Sequence, residues 1–273
     1  MSAFVAAPPQ TDAGLAVRLE GVSLGYGRHA VLDDLRLDIA PGEVLVIVGP
    51  SGSGKSTVLR AIAGLLAPQA GRVLAEGVPV TGPSPDRAMV FQDDALLPWR
   101  TVLRNVELPL RIRGVPKRER RRAAESWIAR VGLAGWEDRL PRELSGGMRQ
   151  RVQLARSLAG APRAVLMDEP FGALDAQTRA GMQRLLLEVL RDTLATVVFV
   201  THDVDEALLL ADRVVVLGQR DGHGDGQRGG HGGGQHGGQR GGHGGIGAVL
   251  RVPDPRTPDI DRTGLRARII EEL

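Results

Sequence analysis

The sequence predicts an α/β fold: a mostly parallel sheet threaded by helices, led by antiparallel strands and interrupted by a helical block. Three observations predict it. Val44-Leu45-Val46-Ile47-Val48 is an apolar, β-branched run, the pattern of a strand buried on both faces. Ala164–Asp168 and Thr196–Val200 repeat that pattern, with a helical stretch between them, as in parallel β-α-β units. Gly49-Pro50-Ser51-Gly52-Ser53-Gly54-Lys55-Ser56-Thr57 follows the first run directly, a glycine-rich turn into a helix.

Taken in order, residues 1–14 are rich in Pro and Ala and are expected to form a loose tail. Leu15–Glu20, Val22–Tyr26 and Leu35–Ile39 alternate apolar and polar residues, as half-buried strands do. Several of them should pair antiparallel. Thr57–Leu66 reads as a helix stopped by Gly64 and Pro68. Val73–Val80 reads as a hairpin around Gly77, and Arg87–Phe91 as a strand ending at Gln92. From Asp93 the pattern turns helical, with Val102–Leu110 and the basic Pro116–Val131 as its first elements. Leu144-Ser145-Gly146-Gly147 opens a further helix reaching about Ala159. A small helical subdomain over about 93–160 is expected. Ala176–Asp192 and Asp203–Ala211 read as helices and Arg213–Leu217 as a strand.

Residues 218–247 are low-complexity, built of Gly, His, Gln, Arg and Asp. Gly226–Gly233 recurs verbatim as Gly238–Gly245. Such a stretch has no apolar surface to bury, so no fixed structure is expected. Its His223, His231, His236 and His243 leave two readings open, a turn overgrown by repeat duplication or a transition-metal tract. Residues 248–273 resume with a strand, Ala248–Val252, and a helix over 259–273. The chain therefore divides into a tail (1–14), one main domain (15–217), the insert (218–247) and a strand–helix end (248–273).

Composition narrows the classes. A 273-residue chain that is 42% hydrophobic builds a full core, and with 3% aromatics that core is aliphatic. No cysteine is present, so disulfides, thiolate metal sites and Cys nucleophiles are excluded. A net charge of +3 does not make a nucleic-acid surface. No apolar run approaches the roughly 18–20 residues that cross a bilayer, and Met1–Gln10 has no secretory pattern. Any membrane role must come through a partner. The run Lys117-Arg118-Glu119-Arg120-Arg121-Arg122 is expected to be a solvated helix face.

The chemistry lies at strand ends. Gly49 to Ser56 matches the P-loop pattern in its strand–loop–helix context. Its glycines let backbone N–H groups curl around a polyphosphate, and the following helix points its positive end at the same anion. Lys55 can reach the β- and γ-phosphates, and the Ser56 hydroxyl is placed for Mg²⁺. Asp168-Glu169 ends an apolar strand, where buried acids need a cation. Asp168 suits a Mg²⁺ ligand and Glu169 a general base for water. Gln92 and His202 fall just past strand ends, on the side where open α/β sheets bind ligands.

Together these motifs resemble the ATP-binding subunit of an ABC transporter. Gly49–Thr57 is similar to its Walker A motif, Gln92 to its Q-loop glutamine, and Leu144-Ser145-Gly146-Gly147 with Gln150 to its signature. Val165–Glu169 is similar to Walker B with the catalytic glutamate, Asp175 to the D-loop aspartate, and His202 to the switch histidine. The resemblance implies a P-loop ATPase core with an N-terminal antiparallel subdomain and the inserted helical subdomain. It implies Tyr26 stacked on adenine, Lys55, Glu169 and His202 as catalytic residues, and Mg²⁺ held by Ser56, Asp168 and Gln92. It implies a homodimer around ATP, with the signature acting on the opposite nucleotide. It also implies that this chain sits peripherally on the cytoplasmic face of the membrane, against a separate integral-membrane permease, with an extracytoplasmic solute-binding protein as an indirect partner. Phe91–Val102 and Leu144–Arg151 are similar in wording to the nitrate, sulfonate and taurine importer group. An ATPase of another importer, for a metal or other small solute, and a non-transport ABC ATPase are the alternatives. The long coiled coils of DNA-repair members are absent between Asp93 and Glu143.

Overall fold

The computed structural model describes residues 14–27, 29–191, 193–219, 244–253 and 262–273. The antiparallel strands β1 (Val17–Tyr26) and β2 (His29–Ile39) come first. Two strands were expected over the first of these. One forms instead, because Gly21, at φ 59°, takes up a bulge between Leu19 and Val22 without breaking the ladder. Strand β3 (Val44–Val48) leads into α1 (Lys55–Ala63), which Gly64 closes at φ 79°. Strands β4 (Ala70–Ala75) and β5 (Val78–Pro79) make the expected hairpin, and β6 (Arg87–Val90) follows.

The helical block contains α2 (Val102–Ile112), α3 (Lys117–Arg130) and α4 (Gly146–Ala159). After it come β7 (Ala164–Asp168), α5 (Ala176–Arg191), β8 (Thr196–Thr201), α6 (Val204–Leu210), β9 (Arg213–Gln219), β10 (Gly244–Arg251) and α7 (Thr263–Glu271). Among the described residues, no helix is long and apolar enough to cross a membrane.

Among the described residues, all ten strands share one sheet, ordered β5-β4-β1-β2-β10-β9-β3-β8-β7-β6. Its half from β9 to β6 is parallel. Its other half, among the described residues, is antiparallel but for the parallel pairing of Gly244 with Leu32, which joins β10 to β2; β10 then pairs antiparallel with β9 and so joins the two halves. Strand β3 shows why an unbroken apolar run was needed. Val44, Val46 and Val48 face one buried cluster, shared with α4, α5 and α6, while Leu45 and Ile47 face another, shared with α1 and β1. At about 25 cal/mol per Å², full burial of one such side chain contributes about 1.5–3 kcal/mol.

Three boundaries differ from expectation. The loose tail was expected to include Gly14, but Gly14 is buried against Gly42 and Leu194, and the Leu15 amide donates to Arg163 O at 3.2 Å. Residues 1–13 lie outside the described residues. The expected structureless insert began at Gly218 and ended at Gly247. Gly218, Gln219 and Gly244 to Gly247 instead belong to the β9–β10 pair, with Gly244 opposite Gln219. Gly244 packs on the turn after β3, where an added Cβ would lie 2.9 Å from Ser53 O, so it is held by close approach. Residues 220–243, with all four histidines of the repeat, lie outside the described residues. The terminal helix, expected over 259–273, is described from Thr263 to Glu271, and residues 259–261 lie outside the described residues. It buries Ile269 and pairs Arg266 Nε with Asp205 Oδ1 at 2.8 Å.

Candidate active site

The parallel strands β3, β7 and β8 end side by side, and their last residues carry the site. Gly54 sits at the N-cap of α1 with φ 94°, a conformation that costs any residue with a Cβ. Gly49 is required by space, since a Cβ there would lie 2.5 Å from Leu217 O and 2.7 Å from Ser53 Oγ. Pro50, Ser51 and Gly52 are exposed along the loop, whereas Ser53 and Thr57 are buried. Ser53 Oγ has no hydrogen-bond partner among the described residues.

Lys55 is 5% exposed and folds back on its own loop. Its Nζ donates to Gly49 O at 2.8 Å and Pro50 O at 3.0 Å. It lies 3.9 Å from Glu169 Oε1. Burial lowers its pKa, partly offset by Glu169 and Asp168. Ser56 Oγ donates to Asp168 Oδ1 at 2.7 Å, joining the first turn of α1 to the end of β7. Burial pushes the Asp168 carboxyl up, against the pull of the Ser56 hydroxyl. A buried carboxylate beside a hydroxyl, with its pKa still raised despite Arg60 and Lys55, suits a divalent cation with oxygen ligands.

Glu169 takes φ 41°, a left-handed backbone rare outside glycine. Strain of this kind costs of order 1–3 kcal/mol and gathers at functional sites. The amide of Glu169 still donates to Val200 O at 3.0 Å, so the turn is fixed to β8. The carboxylate then has Oε2 at 2.9 Å from His202 Nδ1 and Oε1 towards Lys55. Two groups separated by 33 positions in the sequence thus meet because β7 and β8 are neighbours.

The other expected residues fall around this centre. Tyr26, at the end of β1, is 47% exposed, and its hydroxyl accepts from Arg60 of α1 at 3.0 Å, leaving ring surface free to take a flat partner. Gln92 is exposed just beyond β6. Ser145 caps α4, accepting from the Met148 amide at 3.3 Å, and Gly146 and Gly147 begin that helix. Among the described residues, no hydrogen bond joins 144–147 to 49–57. Asp175 accepts from Thr178 N at 3.0 Å and Thr178 Oγ1 at 2.7 Å, a helix-start geometry for α5 that lowers its pKa.

Two members of the expected signature face inward. Leu144 is 5% exposed and belongs to the core, and Gln150 is 7% exposed, its Nε2 donating to Gln92 O at 3.0 Å in the same chain. Helical geometry explains this: Gln150 lies on the face of α4 turned to the stretch after β6, away from the helix's free N-terminal end. Neither side chain is presented to another subunit in this conformation. Sequence reasoning missed that Gly244 packs on the loop after β3 and that Arg149, Gln153 and Arg156 of α4 bond residues 91–95. A glutamine inside the otherwise apolar stretch Val152-Gln153-Leu154-Ala155 was the one available signal.

Residues 32–172 match the family described as ABC transporter. This chain belongs to that family. Its activity is the family's ATP hydrolysis coupled to transport. Among its relatives, a taurine import ATP-binding protein of Pseudomonas putida is 50% identical over 208 residues, covering 76% of this chain and 79% of that one. An uncharacterized ABC transporter ATP-binding protein of Methanocaldococcus jannaschii is 54% identical over 195 residues, covering 71% and 73%. A dimeric ATP-binding cassette solved in a post-hydrolysis state with ADP and phosphate superposes with TM-score 0.66 and 34% identity, over 73% of this chain and 93% of that one.

Proposed function

We propose that this chain is the ATP-hydrolysing subunit of an importer for a small anionic solute of the nitrate, aliphatic sulfonate or taurine type. Two copies close head to tail on two ATP molecules at the cytoplasmic face of the membrane. They drive a separate permease, which receives its solute from an extracytoplasmic binding protein. The observation that carries the reading is the convergence of Lys55, Ser56, Asp168, Glu169 and His202 at three adjacent strand ends. The solute class draws its support from the relatives that print taurine import in their names.

In this reading the phosphates lie on the backbone N–H groups between Gly49 and Thr57, Pro50 having none, with Ser53 Oγ as a further donor. Lys55 exchanges its bonds to Gly49 O and Pro50 O for phosphate oxygens. Tyr26 stacks on the base. Ser56, Asp168 and Gln92 would hold Mg²⁺, which would offset the negative charge of the phosphates. Glu169 accepts the proton of the attacking water, and His202 holds Glu169 in place through its Nδ1 and leaves its other nitrogen for the γ-phosphate. Ser145, Gly146 and Gly147 offer the positive end of α4 to the nucleotide of the opposite subunit. Asp175 keeps the turn before α5 in shape beside it.

The test has two arms. Purified protein with ATP and Mg²⁺ should release phosphate and should form a dimer when hydrolysis is blocked. Expressed with the permease and binding protein of a taurine importer that lacks its own ATP-binding subunit, it should restore taurine uptake. Absence of nucleotide binding refutes the ATPase reading; ATPase without uptake of taurine, sulfonate or nitrate refutes the solute class.

A further inference from the structure

Five consecutive carbonyl oxygens after β6 are held by one face of α4. Gln153 Nε2 donates to Phe91 O at 3.2 Å and to Asp93 O at 3.1 Å. Gln150 Nε2 donates to Gln92 O between them at 3.0 Å. Arg156 donates to Asp94 O at 3.4 Å and Ala95 O at 2.9 Å. Arg149 Nε adds an ion pair to the Asp94 carboxylate at 2.6 Å. Positions 149, 150, 153 and 156 recur once per turn, so they form a single stripe. Residues 91–95 have no helix or strand of their own, and this stripe bonds each of their carbonyls, whereas Leu97 is held by Asn105 of α2.

Gln153 is the informative member. It is wholly buried, and both groups facing its amide are carbonyls, so its nitrogen must point at them. Its own Oε1 then has no partner among the described residues. A buried amide oxygen without a donor is unfavourable, so packing alone would favour leucine or methionine here. The carbonyls of Phe91 and Asp93 account for the amide.

We propose that Gln153, with Gln150, is a positioning residue that keeps the backbone bearing Gln92 in register with α4. The same helix carries Ser145, Gly146 and Gly147 at its N-terminus, so a shift of one end is transmitted to the other. This rests on the reading above, in which Gln92 serves the chain's own nucleotide and Ser145 to Gly147 serve the opposite one. The staple therefore links two sites through one rigid helix.

The test compares Gln153→Met, which keeps volume and loses both donors, with Val152→Ala, a core change in the same helix that touches no carbonyl. Both will lower the melting temperature. Only Gln153→Met should speed exchange of the Leu96 and Leu97 amides, which donate to Asp94 Oδ1 at 3.2 Å and Asn105 Oδ1 at 2.9 Å, by about five- to tenfold, because the segment opens more readily without its carbonyl bonds. It should also lower kcat about tenfold with KM for ATP within twofold, and bring the Hill coefficient towards 1. Exchange and kcat equal to those of Val152→Ala would overturn the proposal. The exchange measurement needs no turnover, so it decides this inference even if the ATPase reading fails. A hydrolysing wild type with unaltered Gln153→Met refutes the staple alone.

Discussion

Glu169→Gln isolates the proton transfer. The amide keeps the shape of the carboxylate and can still bond His202, whose Nδ1 lies 2.9 Å from Oε2. It cannot accept the proton of water. A positioned general base contributes about 10²–10⁴ in rate, which is about 2.7–5.5 kcal/mol at 1.36 kcal/mol per decade. Binding should respond in the opposite sense. The Glu169 carboxylate lies 3.9 Å from the Lys55 ammonium, a gross attraction of about 4 kcal/mol at an effective dielectric of 20, before desolvation. Removing that attraction frees Lys55 for a phosphate and removes a negative charge facing the triphosphate. Phosphate release at saturating ATP should therefore fall at least about 100-fold, while the Kd for ATP, from equilibrium dialysis, should hold or tighten. Gel filtration with ATP and Mg²⁺ should show a persistent dimer. Turnover within threefold of the parent would refute the base assignment and the argument built on the φ of Glu169.

Four further outcomes are expected. Lys55→Met should weaken ATP binding by about 10–100-fold, the loss of a charge-assisted hydrogen bond of about 1.5–3 kcal/mol, read by isothermal titration. Asp168→Asn should abolish Mg²⁺-dependent turnover yet raise the melting temperature at pH 7. Its folded pKa is raised by burial, so the native state loses stability as pH rises through the window that starts at the unfolded value, about 3.9, and the Asn advantage should close below about pH 4. Gly147→Val places a Cβ 2.6 Å from Thr178 Cγ2 at the start of α4; kcat should drop with ATP affinity of the monomer unchanged in a filter-binding assay. Replacing residues 221–243 by a two-residue turn should leave ATPase within about twofold, because β9 and β10 already pair up to Gln219 and Gly244.

The parallel core was legible because its strands are buried on both faces and so write themselves as unbroken apolar runs, as in Val44–Val48 and Ala164–Asp168. The loop from Gly49 to Ser56 was legible because its backbone geometry demands glycine at fixed positions. The meeting of Glu169 with His202 needed strand order, which the β-α-β pattern implies. Other features depend on which face of an element a residue occupies. Gln150 sits four residues from Gly146, and only the docking of α4 against residues 91–95 turns it inward. Gly14 and Gly244 look like tail and repeat in the sequence, since a glycine's packing against Leu194 O or Ser53 O leaves no mark in composition. The staple by Gln153 was hidden for the same reason: its partners are main-chain oxygens, which every residue has.

Strand β3 is gripped by aliphatic side chains above and below and by β9 and β8 on its flanks. A loop launched from such a strand is anchored to the stiffest part of the molecule, and the amides of β3 itself should be among the last to exchange with solvent. If the site works as proposed, motion during the cycle falls to the three α-helices between Val102 and Ala159, which turn as a lever while the loop after β3 stays still as its fulcrum.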